Sequence, residues 1–334
     1  MTQDVDTAQP GVAHTSTVPF GRPYTWVFVD DRFVSSEDAR VSVGANTLSY
    51  GTGTFEGIRA SWNEGLRQLF LLEPDAHYHR MEQSAHILGL ELPKSSDQLT
   101  TITAELLRRN DVRTDAYIRP LFFLAEEQFP VRMHGITAQL TVAATPIPGD
   151  YINSRGVRCM VSSWRRSPDV AVPNRAKVIG SYAGPALAKT EAIHHGFDEA
   201  IMLTVDGYVA EATTSNIFIR FADSWVTPPV TDDILEGITR RQVMQLIREE
   251  TGTPVTERRI LRSELYTCDE ALLCGTAAMV VPILEVDGRR VGNGLPGKQT
   301  LALQQRLRTI ARREEERHPE WTTPVYSGDE EEGS

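Results

Sequence analysis

The chain has 334 residues, 40% hydrophobic and 24% charged, an ordinary globular make-up with room for one large or two ordinary domains. Its formal charge of −11 argues against nucleic acid as a partner. No apolar run reaches the ~18 residues of a membrane span, and the N-terminus lacks the basic flank and apolar segment of a secretory signal.

Residues 1–23 mix Thr, Gln, Pro and Gly without periodicity and read as a mobile arm. Regular structure is expected from 25–29, with short strands at 40–43, 53–61 and 69–72. Helical spacing follows at 75–88 and at 96–109, where Ser96 is a candidate cap. The β-rich runs 117–124 and 138–144 have the length of buried strands.

The Pro/Gly-rich stretch 145–151 then reads as a linker. Beyond it come a strand at 157–163, a loop at 165–175 and a helix at 182–195. Asp206-Gly207 and Asp287-Gly288 each sit between β-rich runs, a hairpin signal. Helices at 239–250 and 298–313 complete the pattern. The expected organisation is an arm (1–23), a small α+β domain (24–144), a linker (145–153), a large domain (154–318) and an acidic C-terminal tail (319–334). A site at the junction is the natural place for chemistry. The cysteines, Cys159, Cys268 and Cys274, have no metal spacing and suit free thiols in a reducing cytoplasm.

The chain has only four lysines, Lys94, Lys177, Lys189 and Lys298, against thirty arginines. A mechanism that needs a neutral amine must draw it from these four, because arginine stays protonated. Lys177 lies between Ala176 and the apolar pair Val178-Ile179, just before a helix. Apolar surroundings make an amine a usable nucleophile for a Schiff base; the alternative is a surface lysine at a loop end. Three segments could hold an anion. Gly237-Ile-Thr239 opens a helix with free N–H groups. Gly275-Thr-Ala-Ala278 interrupts an apolar run with small residues, and Arg80 offers a fork of donors. An ordinary helix cap, a bulge and a solvated arginine are the plain alternatives. Glu211 follows Gly207-Tyr-Val-Ala, where strand alternation puts it on the face of Val209. If buried there it needs a partner, and a protonated pyridine nitrogen is one candidate; a half-exposed strand glutamate is the other reading.

Together these pieces resemble the fold-type IV, class IV pyridoxal-phosphate aminotransferases, and within them the branched-chain amino-acid aminotransferases. The resemblance runs from Tyr24 to about Arg313. Its anchors are Ser49-Tyr-Gly-Thr-Gly-Thr-Phe-Glu-Gly-Ile-Arg59, Tyr117-Ile-Arg-Pro120, Lys177 with Tyr182, Glu211 with Asn216, Pro228-Pro229, Leu235-Glu-Gly-Ile-Thr-Arg240 and Gly275-Thr-Ala-Ala278. It implies a two-domain α+β fold with pyridoxal 5'-phosphate at the domain junction, in a homodimer or higher homo-oligomer. Lys177 is then the internal-aldimine lysine and the acid–base of the proton shift. Glu211 is the partner of the pyridine nitrogen, and Tyr182 the donor to the phenolic oxygen. Arg80, Ile238, Thr239 and Thr276 resemble the phosphate set. Tyr117 and Arg119, with backbone at Thr276 and Ala277, resemble the substrate-carboxylate site. Phe55, Tyr50 and Tyr151 match pocket positions, Tyr50 being expected from a neighbouring subunit. The chain departs from the family where Ala-Thr-Thr-Ser215 lacks the usual Gly, where the loop 126–134 lacks a Gly-rich segment, and where the linker has no Trp.

The implied activity is transamination from a branched-chain amino acid to a keto acid such as 2-oxoglutarate. Alternatives that keep the cofactor are an (R)-selective amine or D-amino-acid transaminase and, further off, an aminodeoxychorismate lyase. A non-enzymatic binding protein would require a missing catalytic residue, and none is missing.

Overall fold

The computed structural model describes residues 21–127, 129–148 and 155–326. The first half forms β1 (Trp26–Val29), β2 (Arg32–Ser35), the short α1 (Asn46–Tyr50), β3 (Gly53–Phe55), β4 (Ile58–Asn63), β5 (Gln68–Leu72), α2 (Pro74–Ile87), α3 (Ser96–Arg109), β6 (Ala116–Leu124) and β7 (Ala138–Pro146). The second contains β8 (Val157–Arg165), α4 (Ala183–His194), β9 (Glu199–Leu203), β10 (Val209–Ala212), β11 (Asn216–Phe221), β12 (Ser224–Thr227), α5 (Ile238–Thr251), β13 (Thr256–Glu257), β14 (Glu270–Gly275), β15 (Met279–Val286), β16 (Arg289–Arg290), α6 (Lys298–Ala311) and β17 (Thr322–Pro324).

The first sheet runs β17-β5-β4-β6-β7-β1-β2, with β3 also against β6, and all its pairs are antiparallel. Helices α2 and α3 cover one face, where Tyr78, Met81, Leu99 and Leu107 join Ile58, Leu71, Ile118 and Val142 in one core. Strand alternation decides what the other face carries. Ala116 and Ile118 of β6 are buried toward the helices, so Tyr117 and Arg119 point the opposite way, into the space beside the second sheet. A capping box on Ser95 starts α3, its side chain accepting from Gln98 N and Gln98 returning a bond to Ser95 N. The expected cap, Ser96, is the first helical residue instead, because only Ser95 has a Gln three positions on.

The second sheet runs β10-β9-β8-β15-β14-β11-β12-β13. Here β8 is parallel to both β9 and β15, and α4 supplies the crossover that a parallel β8–β9 pair requires. Phe218, Leu272 and Cys274 face α5 and α6, packing with Val243, Leu246, Leu303 and Leu307. The intervening Ile217, Ile219, Ala271 and Leu273 enter a core on the other side with Val161, Ile201 and Ile283. Both expected Asp-Gly hairpins form, with positive φ at Gly207, Asp287 and Gly288.

Residues 40–43 are not a strand: Ser42 Oγ donates to Glu127 at 2.6 Å and accepts from Gly44 N, which turns the chain locally and leaves Val41 and Val43 exposed. Within the stretch assigned to the acidic C-terminal tail, 319–326 is ordered structure, and Asp329–Glu332, the part that reads as solvated, lies outside the described residues. The ordered part forms a 3-10 turn (Pro319–Trp321) and β17, and it buries Trp321 and Val325 because both are apolar residues with a core to enter. The linker falls only partly in view: 145–146 finish β7, and 149–154, Tyr151 included, lie outside the described residues.

Candidate active site

Lys177 is carried on an irregular segment stitched onto the first sheet. Its carbonyl accepts from Phe55 N at 3.1 Å and Thr54 Oγ1 at 3.0 Å, and its own N–H donates to Ser84 Oγ of α2 at 3.0 Å. Ile179 N and Gly180 N bond the carbonyls of Gly53 and Gly51. Gly51 has φ +64°, and a Cβ there would stand 2.5 Å from Gly180 Cα, so the close approach requires glycine. The flanking Ala176 and Val178 are buried while Lys177 is half-buried. Its Nζ donates to Tyr182 Oη at 2.7 Å and lies over the rings of Phe55 and Tyr182, which meet edge to face at 4.8 Å. The amine is therefore held between two aromatic rings with one defined polar partner.

Glu211 reaches the same cleft from β10. The strand is bulged between Val209 and Glu211, so Val209 and Ala212 enter the core while Glu211 faces the cleft. The expectation that Glu211 shares the face of Val209 is thus corrected by the bulge. Its carboxylate is buried and accepts from Asn216 Nδ2 at 2.9 Å and Leu235 N at 3.2 Å, with Arg166 at 3.1 Å. Burial nonetheless pushes its pKa up, Arg166 pulling against it. Arg166 is itself buried and held by Asn174 Oδ1 and the Asp233 carbonyl. Its pairing is long-range, and only its place beside a strand in Arg165-Arg166 could have hinted at it.

The anion cradle comes from three elements. Gly237 precedes α5 with no side-chain cap, leaving the first N–H groups of the helix free to bind, and Ile238 and Thr239 are buried there. A Cβ on Gly237 would collide with Asn216 Oδ1. Thr276 sits in the turn between β14 and β15. Arg80 of α2 donates from Nη1 to Glu236 O at 2.9 Å, and its Nε and Nη2 form a bidentate pair with Glu56 at 2.7 and 2.8 Å. Glu56 has no exposed surface and also accepts from His77 Nδ1–H. Burial alone would raise its carboxyl, but Arg80 and His77 outweigh that and hold it far below the carboxylate range. Glu56 is visible in the motif, yet its role rests on a partner 24 residues away.

On the opposite wall Arg119 stacks over Phe55 at 4.6 Å and donates to Tyr117 Oη at 2.9 Å. Among the described residues no carboxylate pairs with it: Glu126 accepts from Thr137 N, and Glu127 from Ser42. Gly57 leaves the room that the Tyr117 phenol occupies. Ala277 O accepts from the buried Arg59 Nη1 at 2.7 Å, which anchors the turn from behind. Tyr50 is not part of this cleft in its own chain. It is exposed, and its hydroxyl donates to Phe129 O. Lys177, Tyr182, Glu211, Arg80, Ile238, Thr239 and Thr276 thus line one cleft, with Phe55, Tyr117, Arg119 and Ala277 beside it.

The family model for amino-transferase class IV matches residues 53–286. A probable branched-chain-amino-acid aminotransferase of Aquifex aeolicus is 43% identical over 302 residues, 90% of this chain and 97% of that protein. Among solved structures, the branched-chain aminotransferase of the archaeon Thermoproteus uzoniensis with norvaline has a TM-score of 0.86 at 40% identity, covering 91% of this chain and 100% of that one. The branched-chain amino acid aminotransferase of Thermobaculum terrenum, in its PLP-bound holo form, has a TM-score of 0.87 at 31% identity, covering 91% and 99%. A mixed α+β fold of this type, shared end to end with enzymes of one activity, defines an aminotransferase. The chain belongs to the class IV aminotransferase family.

Proposed function

We propose that the chain binds pyridoxal 5'-phosphate through Lys177 and moves the amino group of a branched-chain L-amino acid to a keto acid such as 2-oxoglutarate. The convergence of Lys177 Nζ, Tyr182 Oη and the buried Glu211 carboxylate on one cleft carries this reading.

The residues fit the cofactor. The uncapped start of α5, with Thr239, Thr276 and the guanidinium of Arg80, suits a phosphate dianion. A carboxylate that burial drives toward its neutral form gains from a positively charged neighbour, and a protonated pyridine nitrogen supplies one. Tyr182 suits a phenolic oxygen. When bound, the cofactor supplies an electron sink for carbanion chemistry. The protein does the rest. Lys177 Nζ, held by Tyr182 Oη, moves the proton at the substrate α-carbon. Glu211, fixed by Arg166 and Asn216, keeps the ring nitrogen protonated. Arg119 and Tyr117 orient the substrate carboxylate, and the rings of Phe55 and Tyr182 keep water from the amine. The relatives that act on branched-chain amino acids support the choice of donor.

The exposed apolar set Val43, Leu48, Tyr50, Phe129 and Val131 supports a homodimer, in which a second copy would cover it and Tyr50 would reach a neighbouring site. The junction of a small domain (24–144) and a large one (154–318) is where the cofactor would lie.

The test is a set of half-reactions. Holoenzyme is mixed separately with L-leucine, D-alanine and both enantiomers of 1-phenylethylamine while the absorbance of the bound cofactor is followed. L-leucine should bleach it fastest and 2-oxoglutarate should restore it. Faster bleaching by D-alanine or either amine would overturn the assignment of donor.

A further inference from the structure

Behind the turn that carries Thr276 and Ala277 lies a separate cleft of about 680 Å³, between the first sheet and the end of α6. Its floor holds Arg59, Arg308 and Arg312 around a single carboxylate, Asp115. Asp115 Oδ2 accepts from Arg59 at 2.6 Å and Arg312 at 3.1 Å, and its Oδ1 accepts from Trp62 N at 2.9 Å, so the carboxylate is committed to these partners. Arg308 has no share in it. Its Nε is buried without a hydrogen-bond partner, and no carboxylate pairs with it among the described residues. Burial lowers the proton affinity of Arg59, Asp115 pulls it back up, and Arg312 and Arg308 add to the fall. Three guanidiniums against one carboxylate leave the floor with surplus positive charge, which in a partly desolvated cleft favours an anion.

The rim does not cancel that surplus. Glu64 is exposed and accepts from Trp62 Nε1, and Glu314 is exposed at the mouth, where solvent screens both. Arg113, also at the rim, is paired with Asp111 at 2.7 Å and stacked on Tyr326. Trp62 and the buried Ile147 add apolar wall beside the arginines.

We propose that this cleft is a second ligand site, which takes a small organic polycarboxylate on the forks of Arg308 and Arg312 with its carbon skeleton against Trp62 and Ile147. Two forks at the end of one helix suit two carboxylates better than one compact ion. Arg59 joins the cleft to the active-site turn, since the same guanidinium that lines it donates to Ala277 O. Resting on the reading of that turn as the substrate-carboxylate site, occupancy of the cleft steadies the turn and lowers KM for the amino acid.

Calorimetric titration of the holoenzyme with citrate, at fixed ionic strength and with or without saturating L-leucine, tests the site without turnover. One saturable citrate site per chain is expected, not competed by L-leucine and somewhat tighter in its presence, because the coupling through Arg59 is reciprocal. Arg308→Gln should weaken it roughly tenfold or more and Arg308→Lys less, since lysine keeps the charge without the fork. Both variants should keep wild-type kcat in the absence of citrate. Equal citrate affinity in wild type and Arg308→Gln, or displacement of citrate by L-leucine, overturns the site. Inorganic phosphate binding as tightly as citrate overturns the ligand class. A KM for L-leucine that falls with citrate in wild type but not in Arg308→Gln supports the link through Arg59, and a flat KM with intact citrate binding overturns it.

Discussion

Glu56 sits in the core with no surface open to water, a position a carboxylate tolerates only when fully paired. Arg80 holds it with two bonds and His77 with a third, so the carboxylate end of the ion pair is fully buried while the guanidinium reaches the edge of the cleft. Glu56→Gln keeps the shape and removes the charge, leaving Arg80 unpaired, and should cost about 3–5 kcal/mol of stability at neutral pH. The pH dependence follows from the direction of the shift. The folded state holds Glu56 below its ordinary value of 4.5, so its stabilisation is complete above pH 4.5 and drains away as pH falls below it. Urea unfolding of both proteins from pH 7 to pH 3 should show the gap between them narrowing below pH 4.5; a gap independent of pH would place the stabilisation elsewhere. The same residue marks the limit of a linear reading. Lys177 stands out in sequence because lysines are few and its neighbours are apolar, and Glu211 because it falls in a strand. Nothing in Phe55-Glu56-Gly57 says that the glutamate will meet α2, and Arg166 gave no local sign of meeting Glu211.

Elements were legible where a period or a turn pair announced them. Helices α2, α3, α5 and α6 lie within one or two residues of their expected spans, and both Asp-Gly turns are hairpins. Residues 40–43 misled because alternation alone cannot reveal that Ser42 will bond Glu127 and leave the pattern without a partner strand. Likewise, the bulge in β10 that aims Glu211 at the cleft has no compositional mark. The contact between α1 and the Lys177 segment is another feature that only three dimensions reveal. Gly51 ends α1 in the left-handed region with Gly180 packed against its Cα hydrogens. Gly51→Ala must tolerate that φ and also push Gly180 away, at a cost of about 1–3 kcal/mol. Because Gly180 is three residues from Lys177, the displacement should reach the amine. Cofactor affinity, read by equilibrium dialysis, should fall along with the melting temperature. A variant that loses stability but retains full affinity would show that the segment moves as a unit without disturbing the site.

At the scale of the molecule, the two sheets are joined by the chain's last described residues as well as by the covalent connection after β7. Strand β17 returns to pair with β5 of the first sheet, although it follows α6, which packs on the second. Trp321 belongs to the core under α5 and α6, stacked on His318 at 4.0 Å, whereas Val325, four residues later, belongs to the core under α2 and α3. Leu72, at the end of β5, also enters the α5/α6 core, so a single strand pair contributes to both. Sequence composition gives no hint of this: 319–334 reads as an acidic C-terminal tail, and two isolated apolar residues carry no period. The two readings differ in magnitude. On a solvated tail Trp321→Ala would change stability by no more than about 0.5 kcal/mol. As a buried residue it should cost about 3–5 kcal/mol, since a large cavity opens between α6 and the end of β5. The loss should also weaken the hold of one sheet on the other, so thermal unfolding of Trp321→Ala should broaden or split where the wild type melts in one step. A single sharp transition at the wild-type temperature would show that β17 merely rests on the surface and that the joint depends on the other contacts of α6.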